Sequence, residues 1–553
     1  MLIFKKGDLK KNNKWEITNN LGKFSTGNLT GENKLFGVNN IKEKILVNRL
    51  EKEIKQDNFI FDFFPEFNYN IDNKIHIKKK FIMPKTYNAL VISYKIISDL
   101  DAYIEFEFDV EGLNGNNKIV STNTEKKLII GTDNCEFSKG KAFFNIKNGL
   151  NKINFLIVLD NKKEAFKQFD DLFTPNSKDY EKFFDYDSIR IDKIVEGFCN
   201  HYNIAKDDFI KYLIWNTDNF SDPKTHGNLR NTLIGFEGLY LIPLKYEEAM
   251  NILLQMNDDI FKSADLPLLF ILDAHKYYNY TKDLDLIHKL FKRMDHIIKS
   301  YINGSNPMIY VGHDGLVFSG DSKNNLSWMK SDFFGSPLVT RYGKLVEINA
   351  MWYNCLNIMN FFSGLLNKEQ EYDLLINKVK ESFENEFSNY LGKYLYDYTT
   401  GYKKDGSIRP NQLFAISLPY SILPKNKEIL ILKKINKDLL TPYGLRSLDI
   451  NNNKFRGLYD SINKKKAYHN GCVHPWLLGA YVDAYLKLHD TSKFAKNEIK
   501  VKILNIIKHN LKEYGVACFN ELYDGEIPFE PRGRINYPIS VAEILRCYTN
   551  CFR

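Results

Sequence analysis

The sequence predicts an antiparallel β-sandwich over residues 1–185, followed by a toroid of six helix pairs, (α/α)6, over residues 186–553. Three observations predict it. Short β-branched and aromatic runs, broken by Gly, Asn and Asp, fill the first part. The apolar spacing turns helical near residue 185. About a dozen helical segments then follow, with no self-similar repeat at a fixed period. At 553 residues the chain also exceeds what one core usually organises.

The strand candidates are Leu90–Ile97, Tyr103–Val110, Lys127–Ile130, Ala142–Ile146 and Lys152–Val158. Turn-formers separate them, as in Gly112-Leu-Asn-Gly115-Asn and Gly131-Thr-Asp-Asn134, the rhythm of a sandwich. The helix candidates are 206–215, 231–242, 246–256, 265–280, 284–301, 345–366, 368–390, 412–422, 427–440, 473–489, 493–513 and 539–548, with no interleaved strands. Loops 304–343, 391–410 and 441–471 exceed the usual connection length, and loops of that length tend to carry function.

Composition narrows the function. Hydrophobic residues make up 44% and charged residues 26%, which suits a globular chain. The net charge of +9 is spread thinly. The runs Lys78-Lys79-Lys80 and Lys464-Lys465-Lys466 read as solvated loops, so nucleic acid is not an expected partner. Seven scattered cysteines, without a CxxC pair, point to reduced thiols in the cytoplasm. The first residues lack the apolar core of a signal peptide, and no apolar run is long enough to span a membrane. No phosphate-binding glycine motif supports nucleotide binding. His469 and His474 lack a third metal ligand, so neither metal nor cofactor is expected.

The loops share Trp, Tyr, Arg, His, Asn and carboxylates. The segments are Leu326-Ser327-Trp328-Met329-Lys330-Ser331-Asp332, Thr340-Arg341-Tyr342-Gly343-Lys344-Leu345-Val346-Glu347, Ser407-Ile408-Arg409-Pro410-Asn411-Gln412 and Thr441-Pro442-Tyr443-Gly444-Leu445-Arg446. Two more are Tyr468-His469-Asn470-Gly471-Cys472-Val473-His474-Pro475-Trp476 and Glu521-Leu522-Tyr523-Asp524-Gly525, with Pro531-Arg532-Gly533 after it. Aromatic rings stack on sugar C–H faces, and planar polar groups pair with vicinal hydroxyls, so these loops suit a sugar chain.

In order and wording the segments resemble the amylo-α-1,6-glucosidase domain of glycogen-debranching enzymes of the prokaryotic type. The stretch from Trp15 to Gly27 and Ser540-Val541-Ala542-Glu543-Ile544-Leu545-Arg546 extend the likeness over nearly the whole chain. The resemblance implies hydrolysis of the single α-1,6-linked glucose left as a branch stub on glycogen or another branched α-glucan. It implies an inverting mechanism, with a carboxylic acid and a carboxylate about 6.5–9.5 Å apart. Glu521 matches the general base. The family's acid follows Trp-Met, where this chain has Lys330, with Asp332 two residues on as the candidate replacement. The matching positions nominate Arg230, Asn231, Asp265, Trp328, Lys330, Arg341, Glu347, Trp352, Arg409, Arg446, Tyr468, His469, Asp524 and Arg532 as substrate contacts.

The chain departs from the family elsewhere too. Asn231 stands for an Asp that opens a helix, Asn470 for a Gln, and Tyr537-Pro538 near a Trp. The segment Glu32-Asn33-Lys34-Leu35-Phe36-Gly37 is a reduced form of an Arg-rich motif. Two readings follow: a debranching enzyme with a rearranged acid, or a degenerate homologue that binds α-glucan without efficient hydrolysis.

Overall fold

The computed structural model describes all residues except 6–7, 10–11, 19–23, 36–37, 116–118, 123, 133, 139, 174–179, 331, 334–335 and 553, and except the side chains of residues 33, 181, 332, 333, 336, 509 and 510. Residues 19–23 of the opening motif, Phe36, Gly37 and Ser331 thus lie outside the described residues, as does the Asp332 side chain.

The chain forms two compact units. One comprises Met1–His201, Ala205–Thr225 and His509–Phe519, and the other Tyr202–Ile204, His226–Lys508 and Asn520–Arg553. Residue 185 falls within a helix, Glu181–Tyr202.

The first unit is built on an eight-stranded and a five-stranded antiparallel sheet. Alternation along each strand sends one set of side chains inward. Phe155 and Tyr94 from the larger sheet meet Phe106, Phe108 and Phe137 from the smaller, with Phe106 and Phe155 centroids 4.9 Å apart. The five expected strands are present as Ala89–Ser98, Ala102–Phe108, Lys126–Thr132, Lys141–Ile146 and Gly149–Asn161.

Three expectations need correction in this unit. Lys78–Lys80 is not a loop but lies within the strand Ile75–Ile82. Lys79 points inward, where its ammonium meets Glu43 at 2.5 Å, while Lys78 and Lys80 flank Glu66 on the other face. Gly131 is a strand residue rather than part of a turn; a Cβ there would sit 2.3 Å from the Phe169 ring, so the glycine admits that ring. Phe169 belongs to the helix Lys162–Leu172, which lies within the stretch read as strands and buries Ala165, Phe169 and Leu172.

In the second unit, six inner elements touch in sequence and close on themselves. They are Leu229–Ile234 with the π turn Glu237–Leu241, Leu266–Thr281, Val346–Leu365, Pro410–Leu413 with Phe414–Ser417, Leu478–Leu488 and Pro538–Phe552. Outer helices alternate with them along the chain at Tyr246–Gln255, Leu284–Ile302, Asp373–Phe387, Lys425–Asp438 and Lys493–Ile499. The inner helix Val346–Leu365 is buried over most of its circumference, as a helix walled on two sides must be, whereas the outer helix Leu284–Ile302 keeps a single buried stripe.

The helical region is not free of strands. Short strands organise its long loops, because backbone groups held against a packed ring need partners. Leu440–Thr441, Gly444–Arg446, Val473–His474, Leu522–Tyr523 and Pro531–Arg532 form a five-stranded sheet that gathers the last three of the sugar-type segments. Among the described residues no helix is long and apolar enough to cross a membrane. The seven cysteines are free and buried.

Candidate active site

The bore of the ring holds two cavities that share Ile234, Trp328 and Trp476 as walls. One, of about 480 Å³, is lined by Asn228, Arg230, Asn231, Lys330, Tyr459, Lys464, Lys465, Tyr468, His469, His474, Tyr537 and Ile539 besides the shared walls. The other, of about 290 Å³, is lined by all six inner elements.

The first cavity is walled by loops together with the inner elements Leu229–Ile234 and Pro538–Phe552. Trp328 packs edge-on to Trp476 and His469, at 5.1 and 5.2 Å between centroids. Its indole nitrogen donates to Asn411 Oδ1 at 2.8 Å, and Asn411 in turn donates to Asp397 at 2.8 Å. Asp397 and Glu347 receive the fork of Arg341: Nε–Oδ2 is 2.6 Å, Nη1–Oε1 2.7 Å and Nη2–Oε2 2.8 Å. All three charges are fully buried. Burial raises the Glu347 carboxyl above its usual range even though Arg341 opposes this.

Glu521 stands beside this wall. Its Oε1 accepts from the Tyr468 hydroxyl at 2.6 Å, and its Oε2 accepts from the Arg534 backbone N–H at 2.9 Å. Gly533 has φ +70, and a Cβ there would lie 2.5 Å from Oε2, so the turn that presents the Arg534 N–H requires glycine. Tyr537 donates to Asn231 Oδ1 at 3.3 Å, and burial pushes its hydroxyl up to about 12. Two positions that depart from the resembling pattern are therefore hydrogen-bonded to each other.

His469 is nearly fully buried. Its Nδ1 has no hydrogen-bond partner among the described residues. Burial, then the charges of His474, Arg409, Arg341 and Arg230, hold its pKa well below the usual histidine value, so the ring is neutral. His474 is lowered to about 4 by burial, and its Nε2 meets the Tyr468 carbonyl at 2.7 Å.

This geometry can be set beside known proteins. The sequence profile of the amylo-alpha-1,6-glucosidase family matches residues 219–546. The chain belongs to that family. This places it among the α-glucan hydrolases. No curated protein matches it by sequence. A solved structure of a bacterial glucoamylase complexed with acarbose superposes with TM-score 0.62 at 10% identity, over 98% of this chain and 94% of that one. That likeness gives the architecture its name: a β-rich region followed by an (α/α)6 toroid.

The amylo-alpha-1,6-glucosidase positions do not all converge. Arg230, Asn231, Trp328, Lys330, Tyr468 and His469 line the larger cavity. Asp265 and Glu347 line the smaller. Asp265 is engaged by Arg230 at 2.7 and 3.0 Å, which occupies both groups. Arg409 lines neither cavity; its fork holds the Ser447 and His469 carbonyls and Asn470 Oδ1, and so fixes the loop carrying His469. Trp352 is buried, donates to the Gly315 carbonyl at 3.1 Å and stacks on Tyr301. Arg446 donates to the Gly525 carbonyl at 2.7 Å. Arg532 pairs with Asp524, which also receives the Tyr459 N–H at 2.7 Å and so supports a cavity wall.

Sequence reasoning missed Tyr459, Lys464, Lys465, Trp476 and Tyr537 as lining residues. Trp476 and Tyr537 stand inside quoted motifs, and that was a usable signal. The Lys464–Lys466 run is solvent-exposed, as expected of a loop, but it sits on the helical turn Lys464–Ala467 and puts two of its lysines at the cavity.

The smaller cavity carries a buried charge cluster. Arg546 reaches Glu543 at 2.6 Å, Asp483 at 2.5 Å and Glu237 at 3.8 Å, and Lys276 reaches Asp273 at 3.2 Å. Asp273 is fully buried, its Oδ2 is unpartnered among the described residues, and burial pushes its carboxyl up to about 7. The folded chain therefore holds a proton there that the unfolded chain releases near pH 4. This contribution to stability is complete below about pH 4 and is lost as pH rises to about 7. Asp273→Asn is expected to remove that loss and make the protein more stable than the parent at pH 8, on the order of 3 kcal/mol, with little gain near pH 4. Urea unfolding at the two pH values checks this, and a difference independent of pH would refute it.

Proposed function

We propose that this chain is an exo-type α-1,6-glucosidase that removes single-glucose branch stubs from glycogen or another branched α-glucan. The observation that carries the reading is Glu521: a carboxylate held at both oxygens by Tyr468 and the Arg534 N–H, beside an aromatic and polar cavity. In this reading Glu521 draws a proton from water as the water attacks the anomeric carbon opposite the leaving oxygen. Inversion requires the acid about 6.5–9.5 Å away. Asp332 takes that role by its position two residues past Lys330. Trp328 and Tyr468 stack on the sugar, and His469 and Asn231 bond its hydroxyls. This two-carboxylate chemistry needs no metal or cofactor, and the seven buried free thiols suit the cytoplasm.

A second reading is an α-glucan binder without efficient hydrolysis. Lys330 at the acid position favours it, because an ammonium is a poor proton donor to a glycosidic oxygen. So does a larger cavity whose lining includes no carboxylate among the described residues.

Glucose release from a limit dextrin separates the readings. The hydrolase reading expects release by the parent, with Asp332→Asn about 10²-fold slower because the acid is lost. No release from either protein, with retention on glycogen in an affinity gel, supports the binder. An unchanged rate in Asp332→Asn would remove Asp332 as the acid.

A further inference from the structure

Resting on the α-glucan reading above, we propose that the larger cavity accepts a glucose unit bearing a phosphate monoester, with Lys330 and Lys464 paired to the phosphate. The charge of the lining leads there. Arg230, Lys330, Lys464 and Lys465 border one concavity, and no described side chain of the lining is a carboxylate. Arg230 is neutralised by Asp265. Lys330 and Lys464 have no ion-pair partner among the described residues. The carboxylate nearest to Lys464 in sequence, Asp460, spends its oxygens on the Ile462 and Asn463 N–H groups and the Asn463 side chain.

A neutral glucan offers two ammonium groups only hydroxyls. A phosphate monoester offers three strong acceptor oxygens and nearly two negative charges. Lysine binds phosphate as a compact point charge and needs no bidentate geometry. The aromatic walls Trp328, Trp476, Tyr459, Tyr468 and Tyr537 offer ring faces to the sugar part of the same ligand. The sugar half has its own anchor, because His469 Nδ1 is buried, unpartnered among the described residues and on the same wall.

Calorimetry on the full chain tests this with glucose 1-phosphate, glucose 6-phosphate, glucose and inorganic phosphate. A phosphorylated glucan is compared in parallel with the same glucan after phosphatase treatment. At least one sugar phosphate, or the phosphorylated glucan, should bind about tenfold tighter than its neutral counterpart, with the gap closing at about 0.5 M salt. The gap should also widen as pH rises through about 6, where the monoester gains its second charge. Lys330→Gln and Lys464→Gln, both at exposed positions, should each narrow it about threefold. Preference among the small sugars assigns a free sugar phosphate, and preference between the glucans assigns a phosphorylated polymer. Equal binding in both arms overturns the proposal. So does a gap that survives both variants, or inorganic phosphate binding as tightly as any sugar phosphate. Glucose release from neutral limit dextrin is read separately: release without phosphate preference sinks this inference alone, and phosphate preference without release sinks the hydrolase reading alone.

Discussion

Glu521→Gln is expected to lower glucose release from limit dextrin by a factor of about 10²–10⁴, mostly in kcat. The substitution keeps the side chain's size. The Tyr468 hydroxyl, 2.6 Å from Oε1, can reverse and accept from the new NH2, while the remaining oxygen still accepts the Arg534 N–H. The pocket therefore keeps its shape and loses a single charge. What disappears is the proton acceptor that makes water a nucleophile. Initial rates for parent and variant, with thermal melting to confirm the fold, decide the point. A variant as fast as its parent would take Glu521 out of the chemistry.

Arg341→Met is expected to destabilise the protein by about 3–5 kcal/mol. Arg341, Glu347 and Asp397 are each about 1% exposed or less. Removing the arginine leaves two carboxylates buried without their shared counter-charge, and that penalty far exceeds the methylene packing methionine retains. Lysine would not substitute, since one ammonium cannot reproduce the three short contacts made by Nε, Nη1 and Nη2. The damage should reach the cavity, because Asp397 holds Asn411 and Asn411 holds the Trp328 indole. Urea unfolding and Trp328 fluorescence both report on this. Replacing Glu347 and Asp397 by leucine as well should recover part of the loss. If the triple variant is no more stable than the single, the cost does not lie in uncompensated charge.

The fold was legible where one periodicity dominated. Alternation located the strands around Val91 and Phe155, and the helical period located Leu266–Thr281 and Val346–Leu365. It failed for the helix Lys162–Leu172, which follows a 13-residue strand without a break and buries only three positions. The segment 412–422 read as one helix but forms only the short turns Pro410–Leu413 and Phe414–Ser417. Motif order nominated the loops of the site, but not the direction of each side chain. Arg409 and Arg446 stand in sugar-type motifs, yet they bond backbone carbonyls. An arginine beside a ligand and an arginine bracing a loop have the same sequence signature, and only the fold tells which carbonyl lies within reach. Lys464 and Lys465 erred in the opposite direction, since a charge run says nothing about what its surface borders.

The five-stranded sheet among the loops has a dynamic consequence. Its strands are two or three residues long, too short to persist unless their neighbours hold them. Leu522 follows Glu521 in the chain, pairs with Arg532 across the ladder and is fully buried with Ala467 and Cys472. The segment next to the carboxylate is therefore held by packing as well as by hydrogen bonds, and a void opened at Ala467 or Cys472 would loosen it.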